Sequence, residues 1–336
     1  MLELLFGFII AFLIVLIFMP GTIKSLKEKH ITGTDVHKPS RPEIPKGGGF
    51  VVLFAVVASA LLIVGVTTIE SGNVTPGLLA ALVSVLMAGM IGLLDDSLDF
   101  RNRTKVILPL VASIPMMAMQ VGTSTVYVPF IGVLNLGIVY PLVVVPLMMT
   151  FIIDSTNMYA GMNGLEASLA SVNTSAIVMF LVLRVIVNND PMTEGQLDAG
   201  IIAAALLGAS LGFLIFNRYP AKILPGDVGN LSMGAATAAA LILGNMDRLA
   251  FFLFTPFMVN FLLYLVYRWQ VKKSNGKWEK FAKPKEDGTL DVIGPYTMYW
   301  LLPSVSKRIT EKKNVIALAV IQAIIAYSVV LYLVFG

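Results

Sequence analysis

Ten apolar runs separated by short polar segments govern what this chain can fold into. They cover Leu4–Pro20, Phe50–Thr67, Gly77–Leu94, Val106–Gly122, Leu136–Ile153, Leu165–Val187, Ala199–Phe216, Leu231–Gly244, Leu249–Tyr267 and Val315–Phe335. Crossing a bilayer takes roughly 17–25 mostly apolar residues. In hydrocarbon the backbone must satisfy its own hydrogen bonds, so each run reads as a helix. Of the 336 residues 57% are hydrophobic and 13% charged, against roughly 25% charged in soluble domains. The expected fold is an all-α polytopic membrane protein, one integral domain over residues 1–336, in a plasma or endoplasmic-type membrane.

One run, Leu231–Gly244, is short, and charge decides its status. With ten alternating spans and residues 21–49 placed inside, the inside loops hold 22 of the 24 Lys and Arg; only Arg184 and Arg248 fall outside. Without the short span, the eleven cations of 268–313 move outside, against the positive-inside rule. Ten spans with both termini outside is therefore expected. The first run is too long for a signal-peptide core and is flanked by Glu3 before and Lys24, Lys27 and Lys29 after. It reads as an uncleaved span.

The polar segments suggest minor elements. Asn275-Gly276 marks a turn between Val271 and Trp278, predicting a small hairpin within 269–290. Alternation around Pro129 and Gly132 predicts another in 123–136. Val292–Pro303 is apolar but too short to span, and suits the interface. Gly47-Gly48-Gly49 lacks the Gly-Lys-Ser/Thr of a phosphate loop and reads as a flexible entry to the second span. The basic run 268–285 suits a membrane surface. The chain has no cysteine and only two histidines, His30 and His37, so neither a thiolate nor a histidine-rich metal site is expected.

The inside segments carry the chemistry. Asp95, Asp96 and Asp99 end the third span, Asp154 ends the fifth ahead of Asn157 and Asn163, and Asp227 precedes the eighth. All lie on the side that the cation count fixes as inside. Acids at membrane depth are costly and point to function. Singly, each has a plainer reading as a solvated cap, and Asp227 reads equally as an Asx turn capping the eighth span. Asp95-Asp96 is harder to read so, because like charges repel. Carboxylates with amide oxygens suit Mg²⁺ or Mn²⁺. With Lys38, Arg101, Arg103, Lys105, Arg218 and Lys222 beside them in sequence, they suit a polyphosphate. A cation-coupled transporter is the rival, but it predicts acids in mid-span. A scaffold or lipid-binding protein would not need clustered acids beside such cations.

Three signatures resemble those of the polyprenyl-phosphate N-acetylhexosamine-1-phosphate transferases. They are Leu94-Asp95-Asp96-Ser97-Leu98-Asp99 through Lys105, Asn157-Met158-Tyr159-Ala160-Gly161-Met162-Asn163-Gly164-Leu165-Glu166, and Asn217-Arg218-Tyr219-Pro220-Ala221-Lys222 with Gly226-Asp227. Gly33 to Lys38, with Ile44-Pro45, is similar to the family's first inside loop. Asn275-Gly276-Lys277-Trp278-Glu279 is similar to the hairpin of the dolichyl-phosphate N-acetylglucosamine-1-phosphate branch. The absence of histidine from 268–313 argues against the bacterial muramyl-pentapeptide branch. The dolichol branch carries two arginines before the hairpin, where only Arg268 is a candidate here. It also carries an aromatic residue two positions before Gly-Asp, where this chain has Leu224.

The resemblance implies transfer of N-acetylglucosamine-1-phosphate, or another N-acetylhexosamine-1-phosphate, from a UDP-sugar to a polyprenyl phosphate, releasing UMP. It implies Mg²⁺, or Mn²⁺, on Asn157 and Asp227. Lys105 is expected to contact phosphate, with Asp95 and Asp96 as a base or as orienting groups. The Gly161–Gly164 turn and Asn163 are expected at the uridine. Asp35 and Lys38 either contact substrate or order the first loop. Glu166, Lys222, Leu224 and Arg268 complete the expected substrate-binding set, with 268–313 as a cytoplasmic substrate-binding loop. Membrane lipid and a second copy of the chain are further expected partners; nucleic acid is not.

Overall fold

The computed structural model describes all residues except 73–74, 129–130 and 275–277. It is mostly helical, as the apolar runs dictate. Among the described residues seven helices are long and apolar enough to cross a bilayer. They are α1 (Leu2–Glu28), α2 (Gly49–Ser71), α3 (Pro76–Leu98), α6 (Val145–Met158, entered through a π-helical turn at Tyr140–Val144), α7 (Leu165–Asn188), α8 (Glu194–Asn217) and α13 (Glu311–Phe335). An eighth is bent by 49°, where α10 (Asp247–Leu253) meets α11 (Thr255–Ser274).

The two remaining runs depart from the simple expectation. Val106–Gly122 is not one continuous helix. It divides at Ser113 into α4 (Asn102–Ala112) and α5 (Ile114–Ala118), because Pro115 cannot continue the preceding helical ladder and instead sits in the first turn of a new one. Leu231–Gly244 becomes α9 (Gly226–Leu243), 18 residues almost wholly buried among other helices. Their ends are tied to those of neighbouring elements. Asp95 at the end of α3 pairs with Lys105 in the first turn of α4, while the Thr123 N–H after α5 donates to Asn245 Oδ1, which follows α9, at 2.7 Å.

Close helix approach replaces the hydrophobic drive that lipid cannot provide, and small residues permit it. α9 is rich in Gly and Ala, and packs on α3, α6, α8 and α2. A Cβ on Gly49 would lie 2.0 Å from the Gly229 Cα, and one on Gly92 would lie 2.5 Å from the Asp227 carbonyl oxygen. Gly47-Gly48-Gly49 is therefore no flexible entry: Gly49 is the point where α2 crosses α9.

Short strand pairs decorate the ends. β1 (Thr32–Thr34) pairs antiparallel with β2 (Glu43–Pro45), β3 (Thr125–Val128) with β4 (Gly132–Asn135), and β5 (Lys283–Pro284) with β6 (Leu290–Asp291). The Asn275-Gly276 turn lies outside the described residues. Val271, expected in a strand beside it, is still helical in α11. Within Val292–Pro303 the chain forms α12 (Met298–Val305), which buries Trp300 and leaves Val305 exposed.

If the Gly49–Gly229 crossing holds the bundle together, Gly49→Ala will cost about 1–3 kcal/mol through overpacking. Gly65→Ala, on the same helix with open space at its Cβ, will not destabilise. Melting temperatures of the two variants in detergent check this.

Candidate active site

The acidic residues of the first and third signatures meet. Asp96, near the end of α3, accepts hydrogen bonds from the backbone N–H groups of Asp227 (3.0 Å) and Val228 (3.1 Å) in the first turn of α9. Those groups have no partner within their own helix, and a carboxylate also suits the positive end of the helix dipole. Lys46 closes on the same carboxylate at 2.8 Å. Burial acts to lower the Lys46 ammonium, but the hydrogen bond and charge of Asp96 outweigh it and raise its pKa. Asp227 is thus not itself the cap; it stands one position into the helix, against the Asx-turn alternative.

Asp95 is separated from its neighbour by its partners. Its carboxylate accepts from the Phe100 N–H at 2.9 Å and from Lys105 Nζ at 2.9 Å. Lys105 also reaches the exposed Asp99 at 3.3 Å. The carboxylate of Asp227 has no hydrogen-bond or ion-pair partner among the described residues. Three residues on along the same helix face, Asn230 donates from Nδ2 to Asn157 Oδ1 at 3.0 Å, and its own Oδ1 is buried without a partner.

These oxygens form the candidate cation site. No cluster of three or more His, Cys, Asp or Glu side chains suited to an ion occurs among the described residues. Mg²⁺ does not need one, since it usually takes one or two carboxylates and fills the rest of its shell with water and substrate phosphates. The free Asp227 carboxylate and the orphaned Asn230 oxygen beside Asn157 are hard oxygen donors, and fit that pattern.

A second cluster joins four segments. Lys38 Nζ lies 2.8 Å from Asp35, 2.6 Å from Glu311 Oε2 and 2.7 Å from Asn163 Oδ1, and 4.4 Å from the Tyr219 ring centroid. Glu311 Oε1 accepts the Asn163 backbone N–H at 2.7 Å, and Asn163 Oδ1 also accepts from the Ala221 N–H at 2.9 Å. Asp35, Asn163 and Glu311 are buried. Such a network is costly to desolvate and specifies one arrangement of the segments it joins. It favours an ordering role for Asp35 and Lys38, and it occupies the Asn163 oxygen, leaving Nδ2 as that side chain's donor.

The remaining expected residues are spread out. Glu166 is buried; Oε1 accepts the Gly161 N–H, so it shapes the Gly161 turn from beneath. Gly161 holds φ at +118°, which favours glycine, and faces Phe281. Leu224 acts through its backbone: its carbonyl accepts from Gly47 (3.1 Å) and Gly48 (3.0 Å), and its N–H donates to Pro45 (2.8 Å). Lys222 lies on a separate cavity between α7, α8 and α13. Arg268 donates to Tyr264 on α11, 3.2 Å away, and is not joined to either cluster by any contact among the described residues. Lys46, Asn230 and Glu311 were missed as site residues. The signal was present: Asn230 lies three residues from Asp227, and Glu311 is another acid at the end of an apolar run, the first residue of α13.

His37, beside this network, is buried edge-on to Phe281, with ring centroids 5.8 Å apart. Burial pushes its pKa down to about 4; Asp35 opposes this and Lys38 adds to it. An unfolded histidine titrates near 6.5. Between these values the unfolded chain binds the extra proton, so stability falls as pH drops from about 6.5 to about 4, by roughly 3 kcal/mol, and is unaffected above. His37→Phe will remove that component, seen as a smaller loss of melting temperature between pH 7 and pH 5 than in the parent.

Comparison with known proteins gives the family. Residues 78–245 match the model of glycosyl transferase family 4. A Saccharolobus solfataricus protein, provisionally named a UDP-N-acetylglucosamine–dolichyl-phosphate N-acetylglucosaminephosphotransferase, is 32% identical over 86% of this chain and 84% of its own. One of the same name from Sulfolobus acidocaldarius is 31% identical over 86% and 84%. The phospho-N-acetylmuramoyl-pentapeptide-transferase of Clostridioides difficile is 30% identical over 72% and 76%. The matched region spans Asp95, Asp96, Lys105, Asn157 and Asp227, and the chain belongs to glycosyl transferase family 4.

Proposed function

We propose that the protein transfers N-acetylglucosamine-1-phosphate from UDP-N-acetylglucosamine to a polyprenyl, dolichyl-type phosphate, giving the lipid diphosphate sugar and UMP. The observation that carries this is the meeting of Asp95, Asp96, Lys105 and Asp227 at one end of the bundle, where a lipid phosphate and a soluble nucleotide sugar can both arrive. The names of the archaeal relatives favour N-acetylglucosamine as the sugar. Acids at helix ends, together with family membership, set aside the transporter reading.

Ten crossings with both termini outside suit the charge count, and the ties at the ends of α4–α5 and α9 support them. The cluster then faces the cytoplasm. Asp227, Asn157 and the newly found Asn230 are the residues that would hold Mg²⁺. The ion, when bound, neutralises charge on the diphosphate. Asp96 fixes the start of α9 and so aims Asp227. Asp95 holds Lys105, whose mobile ammonium meets an oxygen that changes charge during transfer. The acceptor phosphate is largely ionised near neutral pH, so direct in-line attack needs no strong base. Asn163 Nδ2 and the Gly161 turn face the uridine. Phe281, against Gly161, supplies the flat apolar surface that Leu224 does not.

The test is a purified-protein assay of UMP release, with a panel of UDP-sugars and polyprenyl phosphates, with and without Mg²⁺. Release will require UDP-N-acetylglucosamine, a polyprenyl phosphate and a divalent cation. Asp227→Asn and Lys105→Ala will each lose on the order of 10²–10³-fold in turnover. Near-parental turnover by Asp227→Asn would remove it from the site, and UMP release without a lipid acceptor would reject the reaction.

A further inference from the structure

The cavity that holds Lys222 shares Asn163 with the proposed uridine contacts, but its other lining residues have no role in the transfer reaction as proposed. It encloses about 520 Å³ between the start of α7, the end of α8 and the start of α13, within the range of ligand sites. The aspartates lie at a different set of helix ends, those of α3, α6 and α9. Its walls are of two kinds. Arg218, Lys222 and Lys312 form its polar rim, while Leu214, Ile215 and Ile316, one turn deeper into their helices, form an apolar wall. Ile215 and Ile316 are 43% and 54% exposed, so the apolar side opens laterally, where hydrocarbon would lie.

The rim cations are all exposed, and none forms an ion pair among the described residues. Three lysines of the two clusters described above close on acids: Lys38 on Asp35 and Glu311, Lys46 on Asp96, Lys105 on Asp95. Three cations without acids at the head of an apolar, laterally open cavity match one ligand geometry, an anionic head joined to a hydrocarbon tail. Basic cavities between spans on the cytoplasmic side bind such headgroups.

We propose that this cavity binds an anionic membrane phospholipid, its phosphate among Arg218, Lys222 and Lys312 and an acyl chain along Leu214, Ile215 and Ile316. The lipid borders Asn163, which shares the cavity wall, and so abuts the network of Lys38 and Glu311. The site stands whether or not the transfer reaction is the one proposed, because its readout is binding.

The test is native mass spectrometry of the full-length protein with phosphatidylglycerol and phosphatidylcholine of identical acyl chains. Phosphatidylglycerol will be retained preferentially. Removing Arg218 and Lys312 charge (Arg218→Gln with Lys312→Gln) will weaken its retention about 25-fold, at about fivefold per cation. The single Lys312→Gln, at an exposed residue, will weaken it about fivefold and covers the case in which the double variant misfolds. Arg101→Gln with Arg103→Gln, which removes equal charge from the same face, will leave retention unchanged. Equal retention of the two lipids would overturn the proposal, as would equal weakening by the Arg101 and Arg103 pair. Displacement of phosphatidylglycerol by UDP-N-acetylglucosamine or by a polyprenyl phosphate would assign the cavity to the substrates, and would also overturn it.

Discussion

A helix that begins inside a protein must find acceptors for its first N–H groups, and α9 begins against α3 with Asp96 as that acceptor. Much else follows from this contact. Gly226 must approach closely: a Cβ there would lie 2.6 Å from the Asp96 carboxylate, and its φ of +73° favours glycine in any case. Lys46 must come in to offset the charge, which draws the loop between α1 and α2 over the start of α9. Gly49 and Gly92 must be bare where α2 and α3 pass it. Asp227 is then left with its carboxylate free, because its backbone, not its side chain, is what Asp96 engages.

Around that point the loops form two linked layers. The lower layer holds the carboxylates and Lys105. The upper layer is the network of Lys38, Asp35, Asn163 and Glu311. Leu224 is the seam between the layers, bonded through its backbone to Pro45, Gly47 and Gly48. This explains how a residue with no polar side chain can stand two positions before Gly226-Asp227: its contribution is a backbone register, to which a side chain adds little.

Much of this was legible beforehand. The helices were visible as apolar runs, since length and hydropathy act locally. The gathering of acids on one face was visible because counting Lys and Arg fixes the face without reference to the acids. Pairings between segments were not visible. Nothing local to Asp95 or Asp96 says that one turns to Lys105 and the other to α9. Nothing local to Lys38 says that its main acid partner beyond Asp35 lies at Glu311. The glycines misled in one place, for Gly49 suggested freedom where the structure shows contact. The break at Ser113 precedes Pro115 and the bend at Phe254 precedes Pro256, and hydropathy, which defines the runs, records neither.

The Lys38–Glu311 pair joins residues 273 positions apart, and this bears on how the protein is made. A growing chain inserts its spans in order, and the loop between α1 and α2 is complete long before α13 exists. Until residue 311 emerges, Lys38 lacks one of its two carboxylates and the Asn163 N–H lacks its acceptor. The second signature therefore cannot take its final shape on a partial chain, however many spans are already in the bilayer. Synthesis of α13 is the step that locks the first loop, so a translation product interrupted before residue 311 carries all three signatures yet lacks the acceptor that sets the second.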